Sequence, residues 1–182
     1  MNTRIHTAVA LLLAGLALGT SAQAAEKDTH IYLGAKAGFM DADVNGFDPA
    51  LAIGVYGGYN LLGKDSAIAA NLGGGRLAVE GELNVTAIDG DAGAYGDWSV
   101  MTLGVYGAYL YPLTETVTLK GKAGIVRQDI DVDGNGSGAK DDDTGPAIGL
   151  GAGFKMGPGT LDVELTLMDD MNYWSVGYAW RF

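Results

Sequence analysis

Few side chains in this sequence are equipped for chemistry. There is no cysteine, and the two histidines, His6 and His30, are far apart. One imidazole without a nearby nucleophile makes no acid–base set. His30 is therefore read as a solvated residue at a strand edge, and the chain as a non-enzyme that needs no cofactor. One stretch imitates a metal site: DIDVDGNGSGAKDDD, residues 129–143. Asp129, Asp131 and Asp133, followed by Gly134, match the start of an EF-hand loop. The twelfth position is Lys140, where a bidentate Glu belongs. The expectation is a solvated acidic loop, with those three carboxylates as a weak Ca²⁺ or Mg²⁺ candidate. The Gly73-Gly74-Gly75 string lacks a strand–helix setting and is no nucleotide site.

The other charges that attract attention alternate with apolar residues. Lys36, Lys120, Lys122, Lys155 and Arg181 stand against Glu80, Glu82, Asp162 and Glu164. Each lies on the face opposite the apolar residues of its strand, among small or polar residues. Five cations and four anions nearly cancel. A confined interior needs such balance, because an unpaired buried charge is costly.

The elements that must carry these residues follow from the apolar period, which is two almost throughout. Residues 30–40 set Ile31, Leu33, Ala35, Ala37 and Phe39 against Tyr32, Gly34, Lys36, Gly38 and Met40. The same alternation recurs over 51–61, 77–87, 99–111, 117–125, 148–155, 161–167 and 173–182. Eight strands therefore follow one another without helices. Four acidic, Gly- or Asn-rich connections (41–49, 89–98, 129–145, 169–172) alternate with 63–76, 113–116 and 157–159, of which 63–76 has room for extra strand. The predicted fold is all-β, an eight-stranded antiparallel up-and-down transmembrane β-barrel.

The N-terminus carries Arg4 and no acid, then an uninterrupted apolar run over 8–18, then Ser21-Ala22-Gln23-Ala24. That is the layout of a secretory signal peptide, too short for a membrane helix. The expected organisation is a signal peptide over 1–24 and one barrel domain over 25–182. With Arg4 removed, ten Lys+Arg face 22 Asp+Glu, a net charge of −12. Such acidity excludes nucleic acid as a natural partner.

Alternation alone leaves open which face points outward. A lipocalin-like barrel would bury the apolar face. Three features favour the reverse: the charge-balanced small face, the aromatics near strand ends (Phe39, Tyr59, Tyr109, Tyr111, Phe154, Trp174, Trp180, Phe182), and strand length. About ten residues rising about 3.3 Å each, tilted about 40°, cover roughly 25 Å, the height of the apolar band of an outer-membrane barrel.

The sequence ends YWSVGYAWRF, with Trp174, Val176, Tyr178, Trp180 and Phe182 on one face. This ending resembles the C-terminal signal of outer-membrane barrels. YLGAKAGF at 32–39, GVYGGY at 54–59, Tyr111-Pro112, and DTGPAIGLGAGFKMGPGTLDVEL at 143–165 resemble the transmembrane domain of outer membrane protein A and its small eight-stranded relatives. The resemblance implies that the barrel-assembly machinery reads the last strand, after delivery by periplasmic chaperones. It implies residence in the outer membrane, among lipids and lipopolysaccharide, whose phosphates the acidic loops could meet through divalent cations. It also implies interlocking interior charges that plug the lumen. Lys36 and Glu80 or Glu82 match such positions. The lysine expected on the fourth strand is replaced by small residues such as Ala108, and Lys155 stands where an acid is common, so rewiring through Asp162 and Glu164 is expected. No periplasmic peptidoglycan-binding domain is expected after Phe182.

The resulting functional expectation is a structural barrel that supports membrane integrity. A narrow pore for small solutes is the alternative. A surface adhesion or resistance protein is a third, disfavoured by short acidic loops poor in apolar residues.

Overall fold

A computed structural model describes residues 30–44, 46–61, 73–133 and 139–182. The signal peptide and most of the 63–76 connection lie outside the described residues. The strands are β1 (Ile31–Ala42), β2 (Ala50–Asn60), β3 (Arg76–Ile88), β4 (Gly90–Asp91), β5 (Asp97–Pro112), β6 (Val117–Asp133), β7 (Ala139–Met156), β8 (Gly159–Met168) and β9 (Met171–Arg181). β4 is a two-residue continuation of β3 beyond Asp89, and both pair with β5. The barrel thus has eight long antiparallel strands. It closes where β1 pairs with β9, from Tyr32↔Arg181 to Ala42↔Met171, and where β3 pairs with β5. Closure leaves no unpaired edge, as a chain surrounded by lipid requires.

The apolar face points outward. Leu33, Phe39, Leu103, Val105, Ile125, Ile148, Leu150, Trp174 and Val176 are all exposed, Leu150 by 73%. Among the described residues, no helix is long and apolar enough to cross a membrane; the strands cross instead. The interior takes the alternate residues and falls into layers. Near one end, Met40, Ala52, Trp98, Val126, Met168, Met171 and Tyr173 form a buried apolar cluster. Near the end where β1 begins and β9 finishes, Tyr32, Tyr56, Ala78, Ala108 and Ala179 form a smaller one.

Two strands are longer than the sequence suggests. The acidic stretch expected as a loop over 129–145 is mostly β-ribbon, with β6 running on to Asp133 and β7 starting at Ala139. Aspartate is poor in strands by propensity. Here the register 129↔142, 130↔141 and 131↔140 continues a ladder already set by the apolar residues below. Trp98, expected in a loop, is the second residue of β5 and is buried, its indole N–H donating to the Asp48 carbonyl at 2.9 Å.

Candidate functional site: a charged layer inside the barrel

Between the two apolar clusters lie three lysines and three glutamates, all buried. Lys36 comes from β1, Glu80 and Glu82 from β3, Lys120 and Lys122 from β6, and Glu164 from β8. Lys36 Nζ lies 2.8 Å from Glu82 and 3.4 Å from Glu164. Lys120 Nζ lies 2.7 Å from both Glu80 and Glu164. Lys122 Nζ lies 2.7 Å from Glu164, pairs closely with Glu82 and stands 4.0 Å from Glu80. Every ammonium thus meets at least two carboxylates. The layer is neutral, and buried charge demands that neutrality.

Hydroxyls and rings complete it. The Tyr32 hydroxyl donates to Glu80 at 2.7 Å, and the Thr166 hydroxyl to Glu164 at 3.2 Å. Lys122 sits 4.1 Å from the centre of the Tyr106 ring, and Lys36 5.0 Å from that of Tyr173, within cation–π range. Below the layer, the Tyr56 hydroxyl donates to Asp162 at 2.5 Å.

The local sequence explains why six long side chains fit. Each has a glycine directly opposite on a neighbouring strand. Lys36 faces Gly54 and Gly177; Glu80 faces Gly58; Glu82 faces Gly104; Lys120 and Glu164 face Gly151; Lys122 faces Gly149. A Cβ at Gly149 would stand 2.6 Å from Lys122 Cε. Tyrosine rings use the same device: a Cβ at Gly34 would meet the Tyr56 ring at 2.5 Å, and one at Gly58 the Tyr32 ring at 2.2 Å. The interior glycines therefore hold side chains from adjacent strands. The glycine-to-charge pairing across strands is the signal that reading single strands misses. Two interior cavities have volumes of about 30 Å³ and about 10 Å³.

Three of the nine charges singled out in the sequence stand apart from the layer. Asp162 lies beneath it with Tyr56. Arg181, half-buried, lines the larger cavity, and Lys155 is exposed at the same end of the barrel. The network is expected to be rewired through Asp162 and Glu164: Glu164 meets Lys36, Lys120 and Lys122, while Asp162 accepts from Tyr56 and Lys155 is in none of these pairs.

As for metals, Glu80, Glu82 and Glu164 can bring carboxylate oxygens within 4.8 Å of one another. Three ammonium groups already occupy that space, so a divalent ion would have to displace them. On the acidic ribbon, Asp129 accepts from Arg127 at 3.1 Å, Asp131 pairs with Lys140, and Asp133 lies opposite Asp97. Cations of the chain thus engage two of the three weak-candidate carboxylates. His30 stacks on Tyr59 with ring centres 5.8 Å apart, and its Nδ1 lies 3.2 Å from the Asn60 carbonyl. On the terminal strand, Trp174 and Val176 face outward and are exposed, Tyr178 and Trp180 are half-buried, and Phe182 is 37% exposed with its N–H donating to the Ile31 carbonyl.

The family description "outer membrane protein beta-barrel domain" matches residues 10–182. The fold is similar to that of Neisserial surface protein A, with a TM-score of 0.59 and 16% identity over 86% of this chain and 100% of that one. It is similar to Ail, the attachment invasion locus protein of Yersinia pestis, with a TM-score of 0.55 and 17% identity over 84% of this chain and 96% of the other. The N-terminal barrel of Pseudomonas aeruginosa OprF follows, with a TM-score of 0.53 and 15% identity over 83% and 97%. Comparison with curated protein sequences finds no match.

Proposed function

The chain belongs to the outer membrane protein β-barrel domain family and resides in the cell outer membrane, and from that premise we propose that it is a non-enzymatic structural barrel whose lumen is closed by its own side chains. The observation that carries this reading is the neutral layer of Lys36, Lys120, Lys122, Glu80, Glu82 and Glu164. An eight-stranded barrel is just wide enough for its own side chains, and six long ones meet at one level. Such a barrel contributes to envelope integrity through its lipid face and its loops. It reaches the membrane by way of periplasmic chaperones and the barrel-assembly machinery, which reads Trp174, Val176, Tyr178, Trp180 and Phe182. A cleaved leader over 1–24 places the barrel end where β1 begins and β9 finishes on the periplasmic side.

The two interior cavities favour one second reading, a narrow pore for small solutes. A deletion strain separates the two. Loss of the structural barrel raises sensitivity to detergent and chelator, with unchanged uptake of small solutes. Reduced uptake with an intact detergent barrier would replace that reading with the pore.

A further inference from the structure

The two ends of the lumen differ in chemistry. Beyond the charged layer, towards the acidic loops, Trp98, Met40, Met171, Tyr173 and Val126 pack without room for a ligand. On the other side, where β1 begins and β9 finishes, is the cavity of about 30 Å³. Arg76, the first residue of β3, and Arg181, the last of β9, both line it and are both half-buried. Lys120 and Glu80 also line it, but they neutralise each other at 2.7 Å. Asp162 is engaged by the Tyr56 hydroxyl. Among the described residues, neither guanidinium group makes an ion pair or a hydrogen bond. Two arginines therefore share one small cavity with a single carboxylate left to balance them.

We propose that this cavity is a binding site for a phosphate-class oxyanion, held between Arg76 and Arg181 and reached from the periplasmic side. Guanidinium forks match the oxygens of phosphate in paired hydrogen bonds. The hydroxyls of Thr118 and Thr160 line the same space and can complete the shell. The enclosed part holds two or three waters on the scale of about 10–15 Å³ each, so the anion sits at its open mouth, with its inner oxygens towards the arginines. The charged layer makes the site a dead end; in this the proposal rests on the closed-lumen reading. The phosphate can come from free periplasmic ions or from a lipid headgroup.

The test uses the refolded full chain in nanodiscs of zwitterionic lipid. Thermal unfolding, followed by heat-modifiable gel mobility, is measured against sodium phosphate and against sodium chloride of equal ionic strength. The expected result is a saturable, phosphate-specific rise in unfolding temperature. The Arg76→Gln/Arg181→Gln double variant should weaken it at least tenfold, and Lys155→Gln at the same end should leave it unchanged. A second arm replaces phosphate with phosphatidic acid in the disc. Protection there, without added phosphate and lost in the double variant, identifies a lipid source. Phosphorus NMR line broadening with each single variant serves as the readout if the double variant does not refold. A shift equal in chloride, or retained without both arginines, overturns the site. Planar-bilayer conductance, which tests the closed lumen, is independent of all these readouts.

Discussion

The ammonium of Lys120 on β6 lies 2.7 and 2.8 Å from the two carboxylate oxygens of Glu80 on β3, bridging over the intervening strand β5. The two register partners that bracket this bridge on β5 are Tyr106, opposite Glu80, and Leu110, opposite Lys120; between them lies Ala108, buried and small. A longer side chain at Ala108 would fill the path. The small residue on this strand thus permits a diagonal pair in place of a lysine on the strand itself.

Removing the acids of this pair and its neighbour is the sharpest perturbation. Glu80→Ala with Glu82→Ala leaves Lys36, Lys120 and Lys122 with Glu164 alone. Breaking buried pairs from one side costs about 3–5 kcal/mol, and a leak through the lumen is the expected accompaniment. Replacing both partners, Lys120→Met with Glu80→Leu, should be far milder, because no orphan charge remains. Urea unfolding in lipid vesicles measures both. Equal losses for the two double variants would mean that volume, not charge pairing, holds the layer.

Sidedness gives the second prediction. Val176→Arg and Leu150→Arg place a guanidinium in the lipid band and should destabilise by about 2–4 kcal/mol, since both residues face outward. Single cysteines at Val176 and Leu150 should react with a lipid-soluble probe, and a cysteine at buried Ser175 should not. Labelling confined to Ser175 would turn the barrel inside out.

The glycines opposite the charges give a third. Gly149→Val sets a branched side chain against Lys122 Cε and should cost about 1–3 kcal/mol through overpacking. Gly107→Val, where the nearest atom to a Cβ is 3.9 Å away, is the control. If the two variants unfold at the same urea concentration, the glycines are not spacers.

How much of this was legible follows from the physics of alternation. Strand existence and facing depend on a period of two, which Ile31–Phe39 displays without interruption. The six charges of the layer share the inward face and were found that way. Depth along a strand leaves no mark in the period, so Lys155 and Arg181 could not be told from Lys36 or Lys122. Both lie at the barrel end and outside the layer. The ribbon over 129–133 and 139–143 was hidden because aspartates at alternate positions read as a solvated loop. Its pairing comes from the ladder below rather than from its own composition. Trp98 was missed at a boundary: it precedes Val100 and Thr102 on the inward face, but acidic and glycine residues before it suggested a loop.

Asp89, exposed at the break between β3 and β4, yields a pH prediction. Partial burial, then the neighbouring carboxylates Asp97 and Asp133, push its carboxyl above the ordinary aspartate range. The folded state therefore holds this proton more tightly than the unfolded chain. The penalty is present when Asp89 is ionised and is relieved as pH falls through the raised value. Amide exchange around residues 90–97, corrected for intrinsic rates, should slow as pH falls towards the ordinary aspartate range of about 4, and Asp89→Asn should flatten that dependence. An unchanged profile in Asp89→Asn would assign the effect to other carboxylates.

The terminal strand is tested in cells. Its apolar residues face outward, and Phe182 closes against β1 through the Ile31 carbonyl at 3.0 Å. Deleting Phe182, or Phe182→Ser, should lower the amount of heat-modifiable barrel in outer-membrane extracts and raise periplasmic degradation. Folded barrel at the wild-type level would remove the assembly role assigned to this residue.

Planar-bilayer recording of the refolded, unmodified protein tests the closed lumen most directly. The neutral layer at Lys36, Lys120, Lys122, Glu80, Glu82 and Glu164 predicts no steady conductance in the wild type. Channel events should appear only after Glu80→Ala with Glu82→Ala. A stable, ion-selective open channel in the unmodified protein would contradict the plug and establish the pore.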